Sequence, residues 1–119
     1  MRLYLLIPFL VFMLPAAHAE LEMSTFLINF QDQPVDGPIQ TSAVWITNTG
    51  PKTETLNVNS TCYSGFQVDS LCDEPLEMNM TCTVYVRFQP WVAGYQTCQI
   101  SVSDADGETE YVNVMGRGD

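Results

Sequence analysis

Residues 81–88 read TCTVYVRF, with Cys82, Val84, Val86 and Phe88 on one parity and Thr81, Thr83, Tyr85 and Arg87 on the other. Apolar side chains alternating with period two over such a run define a strand with one buried face. Gln89-Pro90 closes it, because proline cannot donate to a central ladder. The same alternation recurs on both sides. Thr97–Ser103 turns Cys98, Ile100 and Val102 one way, and Tyr111–Met115 turns Val112 and Val114 inward. Ser42–Asn48 buries Val44 and Ile46 and turns Ala43, Trp45 and Thr47 out; Leu56 and Val58 do the same in a shorter run. Phe26, Ile28 and Phe30 suggest an opening strand with one apolar face. Turn signals fall between the runs at Pro34–Pro38, Asn48-Thr49-Gly50-Pro51 and Asp106-Gly107. No stretch after Ala19 carries helical periodicity. The pattern predicts an all-β chain: one antiparallel sandwich of about seven strands over residues 20–119.

The first nineteen residues read differently. Arg2 precedes an apolar run from Leu3 to Leu14, Pro15 breaks it, and Ala17-His18-Ala19 offers small residues at −1 and −3 of a cleavage site. This predicts a signal peptide over 1–19. Twelve helical residues rise only ~18 Å, against a hydrocarbon core of ~30 Å, so an anchor is the weaker reading. No membrane anchor is expected after cleavage.

The chain carries 4 basic and 14 acidic residues and a formal charge of −10. That balance argues against nucleic acid, which needs cations to replace phosphate counterions, and against basic docking on anionic lipid. Cleavage after Ala19 removes Arg2 and His18, the only histidine. A chain without histidine builds no Ser-His-Asp or Cys-His site and no His-containing zinc site. The expectation is a non-enzyme with no catalytic residue, cofactor or metal.

Four cysteines in a short exported chain suggest two disulfides. Three connectivities are open. Cys72 and Cys82 flank a short segment and could staple a loop to the next strand, leaving Cys62 for Cys98, and this pairing is preferred. There is no CxxC pair, so structural staples are the reading over redox chemistry.

Asp104-Ala105-Asp106-Gly107-Glu108 resembles part of a calcium loop, but a strand follows where further ligands belong, so a solvated Asp-Gly hairpin is expected. Arg117-Gly118-Asp119 is a weak adhesion match at a chain end. Asn59 and Asn79 head glycosylation sequons that are read as chance. The aromatics point furthest. Trp45, Tyr85 and Tyr111 fall on outward parities, and Trp91 lies in the turn after Pro90. Trp45 and Tyr85 either pair across neighbouring strands or join an exposed patch that contacts a protein or glycan.

Several pieces recur in a known order: Asn48-Thr49-Gly50, Leu56-Asn57-Val58, Gly65-Phe66-Gln67-Val68, Cys72, Thr81–Pro90, Ala93-Gly94-Tyr95 and Val114-Met115-Gly116-Arg117-Gly118. This pattern resembles the ASH/Hydin-like immunoglobulin-like domains, including the bacterial choice-of-anchor D modules, over roughly residues 26–118. The resemblance implies a seven-stranded Ig-like sandwich akin to the major sperm protein and pilus-chaperone folds. It supports the Cys72–Cys82 staple and implies no catalytic residues; Cys62 and Cys98 are additions to the pattern. It also points to a bacterial source. The expected role is an exported, periplasmic or extracellular binding module whose partner is another protein or a glycan, with Trp45, Tyr85, Trp91 and Tyr111 as anchors. The alternative is a chaperone-like subunit that captures a client strand at a sheet edge.

Overall fold

The computed structural model describes residues 20–119, and the signal peptide expected at 1–19 lies outside the described residues. Eight strands form: β1 (Leu21–Met23), β2 (Leu27–Gln33), β3 (Gln40–Asn48), β4 (Asn57–Ser60), β5 (Phe66–Ser70), β6 (Thr81–Phe88), β7 (Gly94–Ser103) and β8 (Thr109–Gly118). They build two four-stranded sheets, in the orders β1-β3-β6-β5 and β2-β8-β7-β4. The period-two reading sets the inner faces. Val44, Ile46, Val84, Val86 and Phe88 are buried from the first sheet, and Ile100, Val102, Val112 and Val114 from the second.

The opening of the chain differs from the sequence reading. β1 pairs antiparallel with β3, and the chain then crosses to the other sheet within three residues. Ser24 N–H still donates to Trp45 O at 2.9 Å, while Phe26 O already accepts from Asn113 N–H at 2.9 Å. β2 then runs parallel to β8. So the sandwich has an eighth strand and one parallel pair. Phe26, expected beside Ile28 and Phe30 on the inner face, sits in the crossing and is 52% exposed. A three-residue strand is too short for alternation to register, and a crossing turns side chains out of the parity of the strand that follows. β2 is itself bulged: its register against β8 shifts between Asn29 and Asp32, and Gln31 takes φ 60°. The Asn29 carboxamide oxygen holds this bulge by accepting Gln31 N–H.

Three rings join the two layers. Phe88, fully buried at the end of β6, stacks on Phe66 of β5 with centroids 4.6 Å apart and meets Phe30 of β2 at 5.4 Å. Glycine makes room for it. A Cβ at Gly116 of β8 would stand 2.5 Å from the Phe88 ring. The terminal Gly-x-Gly is therefore a packing requirement, since a Cβ at Gly118 would likewise fall 2.0 Å from Val92 O. The Arg117-Gly118-Asp119 tripeptide is not a free tail: Arg117 and Gly118 lie in β8, and Asp119 N–H donates to Gln33 O at 2.9 Å.

At the opposite end a buried Asn48 ties two loops together. Its Nδ2 donates to Lys52 O at 2.7 Å and Leu76 O at 2.8 Å, and its Oδ1 accepts from Gly50 N–H at 3.0 Å. A buried carboxamide needs this many partners, and they explain the asparagine of the Asn-Thr-Gly turn.

Cys62 bonds Cys98 and Cys72 bonds Cys82, with Cα separations of 4.9 and 5.3 Å. Each staples a loop to a strand of one sheet: the first joins the segment after β4 to β7, the second the segment after β5 to β6. Neither crosses the core, so contact between the layers is left to apolar packing.

Two measurements check this account. Gly116→Ala is expected to cost about 1–3 kcal/mol in urea unfolding through overpacking, while Tyr111→Ala on the surface stays within about 0.5 kcal/mol; equal effects would contradict the Phe88 contact. Paired Cys→Ser variants are expected to lose about 4 kcal/mol for Cys62–Cys98 and about 3 for Cys72–Cys82, following the 36- and 10-residue separations. Non-reducing peptide maps that joined Cys62 to Cys72 would refute the pairing.

Candidate binding surfaces

The outer face of the β1-β3-β6-β5 sheet brings two of the expected anchors together. Trp45 stands opposite Thr83, and Tyr85 stands opposite Ala43, so the two aromatics are diagonal neighbours on adjacent strands. Diagonal positions lie ~7–8 Å apart, within reach of large side chains. Yet Trp45 is 55% exposed and Tyr85 38%. They present surface to solvent instead of covering each other. The Trp45 backbone is locked on both sides: its N–H donates to Ser24 Oγ at 2.8 Å and its carbonyl accepts Ser24 N–H. Leu71, whose N–H donates to Thr83 O at 2.9 Å, extends this surface from the β5–β6 connection and is itself exposed. Sequence parity missed Leu71, because it follows the last residue of β5; its one signal was an apolar residue directly before Cys72. Toward the other end of the same face, Arg87 of β6 pairs with Asp69 of β5.

Tyr111 goes elsewhere. It lies on β8 opposite Ser101, on the outer face of the second sheet, half-exposed. Trp91 lies in the β6–β7 connection at the end of the sandwich and is exposed. The four anchors thus occupy three separate places.

Trp91 borders a cleft of about 300 Å3, with Ile39, Ser64, Gly65, Gln67, Arg87 and Gln89 among its lining residues. Three connections meet there, pinned by two backbone bonds and one from a side chain. Gln89 N–H donates to Gly65 O at 2.8 Å, Gln89 Nε2 donates to Gly37 O at 2.7 Å, and Asp36 N–H donates to Pro90 O at 3.0 Å. Ser64 and Gly65 both take positive φ, at 57° and 102°. A Cβ on Gly65 would press to 3.0 Å from Gln89 O, so the residue type is dictated here. No signal in the sequence joined these loops.

The charge is polarised along the molecule. The connections 49–56, 71–80 and 104–108 gather at one end and carry Glu54, Asp73, Glu74, Glu77, Asp104, Asp106 and Glu108 against the single cation Lys52. Lys52 Nζ reaches Asp106 at 3.4 Å. Asp104 is buried and caps its own hairpin, its Oδ1 accepting Asp106 N–H at 2.8 Å and Glu108 N–H at 3.0 Å. That carboxylate oxygen organises the loop, and among the described residues no group of three or more carboxylate, histidine or cysteine side chains is placed to hold a metal ion. Arg87 and Arg117 lie toward the other end, where Arg117 pairs with Asp32 at 3.3 Å and lies over the Tyr95 ring at 5.6 Å.

Comparison with solved structures places the architecture. The chain superposes on the ASH/PapD-like domain 7 of human CEP192 with a TM-score of 0.71 at 15% identity, covering 98% of this chain and 97% of that one. This is the ASH/PapD-like immunoglobulin fold. The same fold extends to WR4, a C. elegans MSP family member, at a TM-score of 0.58, 11% identity and 86% and 100% coverage. The VesB protease of Vibrio cholerae also matches, at a TM-score of 0.66 and 16% identity, over 82% of this chain but only 31% of the protease. At these identities the ASH-type likeness speaks for the fold alone. No family model and no curated protein sequence matches the chain.

Both tryptophans of this ASH-type sandwich are exposed, so its intrinsic emission is expected at the red position of hydrated indole, with acrylamide quenching close to that of a free tryptophan derivative. A blue-shifted, weakly quenched emission would place one of the two indoles inside.

Proposed function

We propose that the chain is an exported, non-catalytic binding module that docks another protein on the outer face of the β1-β3-β6-β5 sheet. The observation that carries this reading is the pair Trp45 and Tyr85, diagonal to each other, solvent-exposed and extended by Leu71. Large aromatics held open on a rigid sheet are the usual anchors of protein contacts. The described residues carry three cations against fourteen acids, which favours a basic partner. Two disulfides fit an oxidising compartment, and the signal-like residues 1–19 supply the route to it. The edges favour contact by the face over strand capture: β1 has three residues, β4 four, β5 five, and β2 is bulged. Short or bulged edges are how sheets avoid strand addition.

A benzoyl-phenylalanine photo-crosslinker at position 45 is expected to capture one protein in the compartment where the chain matures. Tyr85→Ala is expected to weaken that capture about tenfold, and the same probe at position 111 is expected to stay silent. Capture from position 111 with position 45 silent would move the contact to the opposite sheet and defeat the proposal.

A further inference from the structure

We infer that the cleft beside Trp91 is a binding subsite for a neutral oligosaccharide, bordering the protein-docking face at the end away from Trp45. Three features of the cleft lead there. Its volume, about 300 Å3, is at the lower end of small-ligand sites and suits one or two sugar rings. Its lining is mixed: Trp91 and Ile39, both largely exposed, supply apolar surface beside the Gln67 and Gln89 carboxamides, the Ser64 hydroxyl and the Arg87 guanidinium. Finally, the site is held in shape before any ligand arrives. Gln89 is bonded to both neighbouring loops through Gly65 and Gly37, and Asp69 fixes the Arg87 side chain.

This chemistry selects a sugar over an apolar peptide anchor. A leucine or phenylalanine side chain entering the cleft would displace water from Gln67 and Ser64 and return no hydrogen bond in its place. A pyranose carries an apolar C–H face that suits an aromatic ring and a rim of hydroxyls that both donate and accept. The carboxamides and the serine hydroxyl match that rim with donors and acceptors of their own. The charge selects a neutral glycan. Arg87 is already paired with Asp69, so it offers no free cation to a uronate or a sulfated sugar. Rigid loops lower the ordering cost of binding, and positive φ at the non-glycine Ser64 is the kind of local strain that collects at ligand sites.

The test uses the purified, disulfide-bonded protein on an array of neutral oligosaccharides together with uronate and sulfated counterparts. Retention of neutral glycans is expected, with anionic counterparts bound more weakly. Titration with the best-retained neutral glycan should shift the Trp91 indole N–H resonance and leave that of Trp45 in place. Trp91→Ala and Gln67→Ala should each weaken binding about tenfold, whereas Trp45→Ala should bind as the parent does. All three positions are exposed or half-exposed, so the variants keep the fold, and circular dichroism verifies it. The inference is overturned if no neutral glycan is retained, if an anionic counterpart binds more tightly, or if Trp91→Ala binds unchanged. Because Trp45→Ala removes the sheet-face contact and spares the cleft, failure of one proposal is distinguishable from failure of the other.

Discussion

The sandwich depends on the burial of Phe88 between its two layers. Neither disulfide spans the core, so apolar contact is what keeps the sheets together. Phe88 is the largest fully buried side chain, and it fits only because β8 offers Gly116 at the facing position. Phe66 and Phe30 then close around it from β5 and β2. Interiors pack at crystal-like density, so a single methyl group placed against this ring is felt throughout the layer contact. The same ring sits at the end of β6, directly before Gln89 and Pro90, and so anchors the root of the loop that carries Trp91.

The two ends of the molecule are held by different means, and the difference bears on what each can do. At the acidic end, Asn48 and Asp104 turn their side chains into loop scaffolding, each satisfying backbone groups that burial would otherwise leave orphaned. The exposed carboxylates around them remain hydrated and set the long-range field of the protein. At the other end backbone bonds to Gly65 and Pro90 carry most of the scaffolding, with the Gln89 carboxamide reaching Gly37 O, and this leaves other side chains free for a cleft. The stapled sheets between them supply a rigid platform, which lets Trp45 and Tyr85 stay exposed without collapsing onto each other.

Much of this was legible in the sequence. The inward residues of β3, β6, β7 and β8 follow from alternation, and the turn at Asn48 from its residue types. The cysteine partners followed from the short loop between Cys72 and Cys82 and from the family resemblance. What escaped had specific causes. β1 is too short to show a period. Phe26 follows the parity of β2 on paper but lies in the crossing between sheets. Leu71 lies beyond a strand end, where parity no longer applies. The cleft was invisible because its walls come from residues near 39, 65 and 90, which share no local pattern.

Within the longer strands, sequence alone determined which side chains point in and which point out, because the pleat of a strand imposes a period of two whatever its neighbours are. It also determined the acidic balance, the absence of histidine after residue 18 and the supply of four cysteines. Only the tertiary structure decided which outward residues meet. Outward parity is the same on both sheets of a sandwich, so alternation cannot separate Tyr111 from Trp45 and Tyr85. The order of strands within each sheet does, and it places them on opposite sides of the molecule.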